Sequence, residues 1–207
     1  MPEPVLIAGG GIGGLALALA LAKMGRRSTV LEQRDSFGGA GAGIQLGPNG
    51  VRVLQRLGLA EAMRPAVGVP DALAVHHGAT GRTLAVLPLG RWIAARHGAP
   101  YWVVHRADLH EALVEACRAT GLVGLRVRAR VDRYEQDANG VTVILQSGEQ
   151  LSGCALIGAD GLRSHIRRQV VGDGEPIVSG HTTFRSLIPT EHHDAVFEEN
   201  ARTLFRL

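Results

Sequence analysis

The residues in this chain best suited to chemistry are glycines. Gly9-Gly10-Gly11-Ile12-Gly13-Gly14 spaces Gly9, Gly11 and Gly14 as G-x-G-x-x-G. In that pattern the first glycine permits a tight turn, the second lets a pyrophosphate approach bare backbone, and the third lets helix and strand pack closely. A helix beginning at this turn offers unpaired N–H groups, Gly13 among them, and the positive end of its dipole to phosphate. Glu32 follows eighteen positions after Gly14, where a carboxylate can accept a hydrogen bond from a ribose hydroxyl, and Arg34 lies just beyond it. A glycine turn alone reads equally as a tight turn in a core. With apolar strand before it, helix after it and Glu32 at the right distance, the combination points to dinucleotide binding.

A second group stands in "LIGADGLRSHIRR", where Asp160-Gly161 separates an apolar run from a basic helix expected over 161–170. Asp160 there can cap the helix, as any Asp can, or face a ligand; the two roles are compatible. No Ser-His-Asp grouping or metal-ligand spacing competes with these sites, so no metal and no catalytic side chain is assigned. His76-His77 and His192-His193 are adjacent pairs, which on a strand point to opposite faces, so solvated histidines are the expectation. Cys117 and Cys154 lie in apolar surroundings and read as buried, reduced thiols.

These groups need elements to hold them. "VLIAGG" reads as a buried parallel strand. "LALALALAKMG" is rich in strong helix formers, has no β-branched residue and stops at Gly25. Ser28–Arg34 is the next strand, completing a βαβ unit. A glycine-rich loop from Gly38 and a helix near Pro48 follow in place of a third βα repeat, which suggests a cofactor larger than a simple dinucleotide lying along the loop. Residues 72–89 read as a hairpin outside the parallel sheet, and His105–Gly121 as an amphipathic helix capped at Asp108 or the residue before it. The segment from Leu125 predicts three antiparallel strands, with turns at Asn139-Gly140 and Ser147-Gly148, feeding a buried strand over 154–159. The parallel sheet is expected to contain 5–8, 29–31 and 155–157. The hairpin over 73–90 is expected to pair with a strand near 183–188.

Composition narrows the function classes. A 207-residue chain that is 45% apolar can bury a sizeable core. Its net charge of +3 rests on scattered arginines, with Lys23 the single lysine and few aromatics, which speaks against nucleic acid binding. Val5–Ala22 is uncharged over eighteen residues, but the glycines at 9–14 break it into strand and helix. Its start, "MPEP", lacks the basic residues of a signal peptide. A cytoplasmic, non-membrane protein is expected.

On the glycine turn with Glu32, on "GAGIQLGPN", "HRADL" and "GADGLRSHIRR", the chain resembles the N-terminal part of the class A flavoprotein aromatic hydroxylases, the salicylate and hydroxybenzoate hydroxylase group, over residues 4 to about 190. Asp160, Gly161, Arg163, Ser164 and Arg167 match that family's second motif, and Ala155 departs from it where a charged residue is favoured. The resemblance implies an α/β fold: a Rossmann-like FAD-binding domain with a parallel sheet and an antiparallel β-meander, plus an incomplete second sheet of a substrate domain. It places the FAD domain at 1–72 and 100–178 and the partial substrate domain at 73–99 and 179–207. FAD would sit against Gly9, Gly11, Gly13, Gly14, Glu32 and Arg34. Asp160 would lie near the pyrophosphate and the nicotinamide path, and Arg106 would reach the ribityl and phosphate part. Ala42 and Gly43 would give backbone contacts to the cofactor, and Val131 one to adenine. Taken alone, Arg106 reads as a surface ion pair with Asp108 or Glu111.

The implied activity is NADH- or NADPH-dependent hydroxylation of a phenolic or aromatic carboxylate substrate by dioxygen, through a flavin peroxide, in aromatic compound catabolism. The implied partners are the small aromatic substrate and dioxygen, with a homodimer open for the complete protein. The family continues into a third, Gly-Asp motif that does not follow here, so an incomplete copy is expected. Two other readings stand beside the hydroxylase: a non-oxygenating flavin reductase or dehydrogenase of the same fold, and a non-catalytic FAD- or nucleotide-binding remnant.

Overall fold

The alternation of short apolar runs with glycine turns resolves, in a computed structural model describing residues 3–38 and 42–181, into twelve strands and six α-helices among the described residues. In chain order these are β1 (Val5–Ala8), α1 (Ile12–Lys23), β2 (Ser28–Leu31), β3 (Gly43–Leu46), α2 (Pro48–Leu57), α3 (Ala60–Met63), β4 (Val67–Gly68), β5 (Ala72–His76), β6 (Thr83–Pro88) and α4 (Gly90–His97). Then come β7 (Trp102–His105), α5 (Arg106–Ala119), β8 (Val123–Arg126), β9 (Val131–Gln136), β10 (Val141–Leu145), β11 (Gln150–Gly153), β12 (Ala155–Gly158) and α6 (His165–Val171). The described residues fall into two packing units, one of 3–38 with 110–181 and one of 42–109.

The first unit is an α/β arrangement. Its parallel sheet has the order β12-β1-β2-β8, in register from Val5↔Ala155 and Val5↔Ser28 through Ser28↔Val123. Helix α1 buries Gly14, Leu15, Ala18, Leu19 and Ala22, a stripe at i, i+3 and i+4. Its end is held by Gly25 at φ +70, with Gly25 N–H donating to Ala22 O and Arg26 N–H to Leu21 O, the two bonds of a Schellman stop. The antiparallel meander β11-β10-β9 shares a core with the sheet: Leu6, Ala8, Leu31, Ala129, Val131, Val143, Leu145 and Ile166 pack together.

Three sequence expectations change here. The parallel sheet has a fourth strand, β8, which takes in Leu125 and Arg126, the residues expected to open the meander; it runs parallel to β2, where half-exposed arginine is tolerated. Among the described residues β12 pairs on one side only and leaves Ala155 and Gly158 exposed, so there it is not the buried strand its apolar sequence suggested. The helix after Asp160 begins at His165 rather than at 161, since Gly161 adopts φ +81 and the chain turns before the first helical residue.

In the second unit, β3 and β4 pair antiparallel with β7. β3 stands where the glycine-rich sequence predicts loop, and pairing with Trp102–His105 makes it a strand. Pro48 is at the first turn of α2, which ends at Gly58 in the left-handed region. β5 and β6 form a separate hairpin turning at Gly81, outside the parallel sheet as expected, while its expected partner strand at 183–188 lies outside the described residues. His76 and His77 are tied into this turn: His76 Nδ1 lies 3.3 Å from Gly81 O, and Thr80 Oγ1 lies 3.0 Å from His77 Nδ1. His192 and His193 lie outside the described residues. Among the described residues, no helix is long and apolar enough to cross a membrane.

Candidate dinucleotide site

Three neighbouring strands of the parallel sheet finish at one edge, and each carboxyl end carries a predicted group. β12 leads to Asp160, β1 to the glycine turn and β2 to Glu32. From β1 the chain proceeds to β2 on one side, while β12 pairs on the other. Such a switch point is where open α/β sheets bind ligands.

Packing explains the glycines. Gly9 has φ +111, and a Cβ there would stand 2.2 Å from Ala159 O, so the turn lies directly against the strand end that carries Asp160. A Cβ on Gly14 would stand 2.0 Å from Gly9 O and 3.3 Å from Ile7 Cγ2, so α1 can sit this close to β1 only without a side chain. At Gly11 and Gly13 a Cβ would meet nothing within 4 Å. Gly11 is the N-cap of α1, no side chain caps the helix start, and its first turn contains no acid. The open surface therefore coincides with unpaired helix N–H groups, which fits a phosphate-bearing cofactor.

The peptides of the turn are held by two distant side chains. Glu32 Oε2 accepts from Gly10 N–H at 2.9 Å, and Glu32 Oε1 accepts from Arg34 N–H at 2.9 Å. Each carboxylate oxygen keeps a lone pair for a further donor. On the other side of Gly10, His110 Nε2 donates to the Gly10 carbonyl at 2.7 Å. His110 is buried on α5, and the motifs in the sequence do not point to it. A signal was present: it is the one polar member of the buried stripe Leu109, His110, Leu113, Val114 and Cys117. Cys117 on the same stripe donates its S–H to Leu15 O at 3.4 Å, and burial pushes its thiol up to about 11. Cys154, expected to be buried, is exposed, because it sits between β11 and the edge strand β12.

Asp160 organises the second motif. Its Oδ1 accepts from Ser164 Oγ at 2.5 Å, and its Oδ2 accepts from His165 N–H at 2.8 Å and Ile166 N–H at 3.3 Å. Ser164 is the N-cap of α6 and accepts from Arg167 N–H at 2.9 Å. Capping is thus shared: Ser164 is the boundary residue, and Asp160 takes two first-turn amides from outside it. Arg34 is exposed, and its Nη1 donates to Gly38 O at 3.3 Å. Val131 buries its side chain in the core at the start of β9. A recess of about 540 Å³ follows the end of β2, lined by Gln33, Arg128, Arg130, Gln146 and Ser147. Arg128 holds φ 52 there, the one non-glycine in the left-handed region among the described residues, and its N–H donates to Arg34 O at 2.7 Å.

The other predicted residues lie in the second unit. Ala42 O accepts from Arg106 N–H at 3.3 Å, and Gly43 pairs with His105. Arg106 opens α5 and is half-buried. Among the described residues neither Asp108 nor Glu111 pairs with it, since Asp108 faces His105 at 3.6 Å. Asp108 lies within the first turn of α5 and is not its cap.

Comparison with known proteins follows the same lines. A family model described as "FAD binding domain" matches residues 3–197. The chain is 49% identical over 191 residues to 3-hydroxybenzoate 6-hydroxylase 1 of Aquipseudomonas alcaligenes, covering 92% of this chain and 48% of that protein. It is 42% identical over 202 residues to 3-hydroxybenzoate 6-hydroxylase of Polaromonas naphthalenivorans (strain CJ2), covering 98% and 50%. Among solved structures, p-nitrophenol 4-monooxygenase PnpA from Pseudomonas putida DLL-E4 superposes with a TM-score of 0.73 at 27% identity, covering 82% of this chain and 44% of that one. The chain spans about half the length of the curated relatives it matches.

Proposed function

The chain belongs to the FAD-binding domain family, and from that premise we propose that it supplies the FAD-binding part of an NADH- or NADPH-dependent aromatic hydroxylase. One observation carries the reading: the open, side-chain-free face at Gly11 and Gly13 lies at a helix start whose flanking strand ends bear Glu32 and Asp160. Bound FAD supplies electron transfer from nicotinamide to dioxygen, chemistry that protein side chains do not provide.

The chain's own residues bind and orient. The first-turn amides of α1 hold the pyrophosphate against the bare backbone of Gly11 and Gly13. Glu32 accepts from the adenosine ribose with the lone pairs left by Gly10 and Arg34. Arg34 and the Val131 backbone flank the adenosine end, and Asp160 keeps the β12–α6 junction folded beside the pyrophosphate. Ala42, Gly43 and Arg106 complete the cofactor set by matching the family's positions. In this reading 1–72 with 100–178 serve the cofactor, and 73–99 with 179–207 serve the substrate. The enzyme is cytoplasmic and works in aromatic compound catabolism.

The substrate class follows from the relatives named for 3-hydroxybenzoate: a phenol bearing a carboxylate. Overall, substrate, O2, NAD(P)H and H+ give hydroxylated product, NAD(P)+ and H2O. The test is a titration of the purified chain with FAD, ADP and FMN. Binding of FAD and ADP but not FMN is expected, and indifference to all three nucleotides refutes the cofactor assignment. The hydroxylase assignment is tested on an enzyme that carries this FAD-binding part together with a substrate-binding part, assayed with NADH or NADPH and 3-hydroxybenzoate: a dihydroxybenzoate product is expected, and hydrogen peroxide alone refutes it.

A further inference from the structure

We propose that His110 is a positioning residue for the cofactor, one that sets the orientation of the Gly10–Gly11 peptide and so aims the amide of Gly11 at the pyrophosphate. The inference rests on the FAD-site reading above and adds a residue to it.

The glycine turn is poorly suited to hold its own shape. Five of the six residues from Gly9 to Gly14 are glycines, and glycine visits more backbone conformations than any other residue. A phosphate site needs the opposite: amides already pointing at the ligand, so that binding does not have to order them. The order must therefore come from outside the turn. Beyond the backbone bond from Gly9 N–H to Leu31 O, two long-range side-chain bonds supply it, both converging on Gly10, which is buried. Glu32 Oε2 takes the Gly10 N–H from 22 residues away, and His110 Nε2 holds the Gly10 carbonyl from 100 residues away.

The two bonds act on different peptides. The Gly10 N–H belongs to the Gly9–Gly10 unit, so Glu32 fixes that plane. The Gly10 carbonyl belongs to the Gly10–Gly11 unit, so His110 fixes the next. In a planar trans peptide the C=O and N–H point in opposite directions. Drawing the Gly10 oxygen onto His110 therefore turns the Gly11 N–H to the opposite side. Gly11 is the N-cap of α1, and the space around it is open.

The chemistry also fixes the imidazole. A carbonyl oxygen only accepts, so Nε2 must carry the proton. The ring comes from α5, where Leu109, Leu113, Val114 and Cys117 bury the same face and leave it little freedom. An aliphatic residue at 110 would complete that apolar stripe and leave the buried Gly10 carbonyl without its donor.

The experiment compares the wild-type chain with His110→Leu and His110→Gln, since a glutamine side-chain amide carries an N–H to about the reach of Nε2. FAD and ADP dissociation constants are measured by flavin fluorescence and calorimetry, and urea midpoints are measured without nucleotide. His110→Leu is expected to weaken both ligands about ten-fold or more, and His110→Gln to stay within about three-fold of wild type. A packing role alone would shift the urea midpoint and leave the dissociation constants of the folded protein unchanged. That result, or a His110→Gln chain as weak as His110→Leu, overturns the proposal while leaving the FAD reading intact. Failure of the wild-type chain to bind FAD overturns both. Should His110→Leu not fold, the ring is read in wild type by 15N NMR: a proton on Nε2, protected from exchange, is expected, and a neutral ring protonated on Nδ1 overturns the proposal.

Discussion

Replacing Glu32 with alanine tests the site at its most connected side chain, and the structure gives the replacement two separable consequences. The carboxylate accepts from the buried Gly10 N–H and from the Arg34 N–H. Removing it leaves the Gly10 donor unsatisfied in a place water reaches poorly, a loss of about 1–3 kcal/mol in stability whether or not nucleotide is present. The second consequence appears only with ligand. A hydrogen bond from a ribose hydroxyl to a charged acceptor contributes about 1.5–3 kcal/mol, so FAD and ADP should each bind roughly ten- to a hundred-fold more weakly. Because both ligands carry the adenosine, their losses should match. Fluorescence titration at a denaturant concentration where both proteins are folded measures the second effect, and urea unfolding of the free chain the first. Equal dissociation constants for wild type and Glu32→Ala would falsify the ribose assignment; an unchanged urea midpoint would show that the Gly10 bond contributes nothing.

Other outcomes follow from the same geometry. Gly14→Ala places a methyl 2.0 Å from the Gly9 carbonyl, so α1 must leave its seat; circular dichroism and thermal unfolding should show a severe loss, and a near-normal melting temperature would refute the close-packing role. Gly13→Ala meets nothing within 4 Å and should raise stability by about 0.5–1 kcal/mol through helix propensity, yet weaken FAD by crowding the phosphate face; unchanged affinity would place the phosphate elsewhere. Asp160→Ala removes three bonds at the start of α6 and should cost about 1–2 kcal/mol, with Asp160→Asn recovering part; equal urea midpoints for all three proteins would deny it a capping role. Cys154 should react promptly with a disulfide reagent and Cys117 only on unfolding. The Cys117 thiol is raised by burial from 9.0 to about 11, so the folded state holds its proton more tightly than the unfolded one. Its contribution to stability is complete below pH 9.0 and is lost as pH rises toward about 11; a Cys117→Ala chain with the same alkaline stability profile would contradict this.

What could be read from residues alone was what is local or covalently ordered. The βαβ unit, the glycine turn, the Schellman stop at Gly25, the hairpin around Gly81 and the meander turns at Gly140 and Gly148 each depend on a few consecutive residues and their backbone preferences. Glu32 was legible because its spacing from the turn is set by one helix and one strand, and the family resemblance lay in the motifs themselves. Pairing between distant segments was not legible in this way. Leu125 and Arg126 look like the opening of the meander until they are seen beside β2, and "GIQL" looks like loop until it pairs with β7. β12 reads as buried because apolar sequence reports what a strand can bury, whereas its one-sided pairing among the described residues depends on which strands find it. The same distinction separates Glu32 from His110. Composition marks His110 only as one polar residue on an apolar stripe; its hydrogen bond to Gly10 spans 100 residues, and only the packing of α5 beside the turn brings the two together.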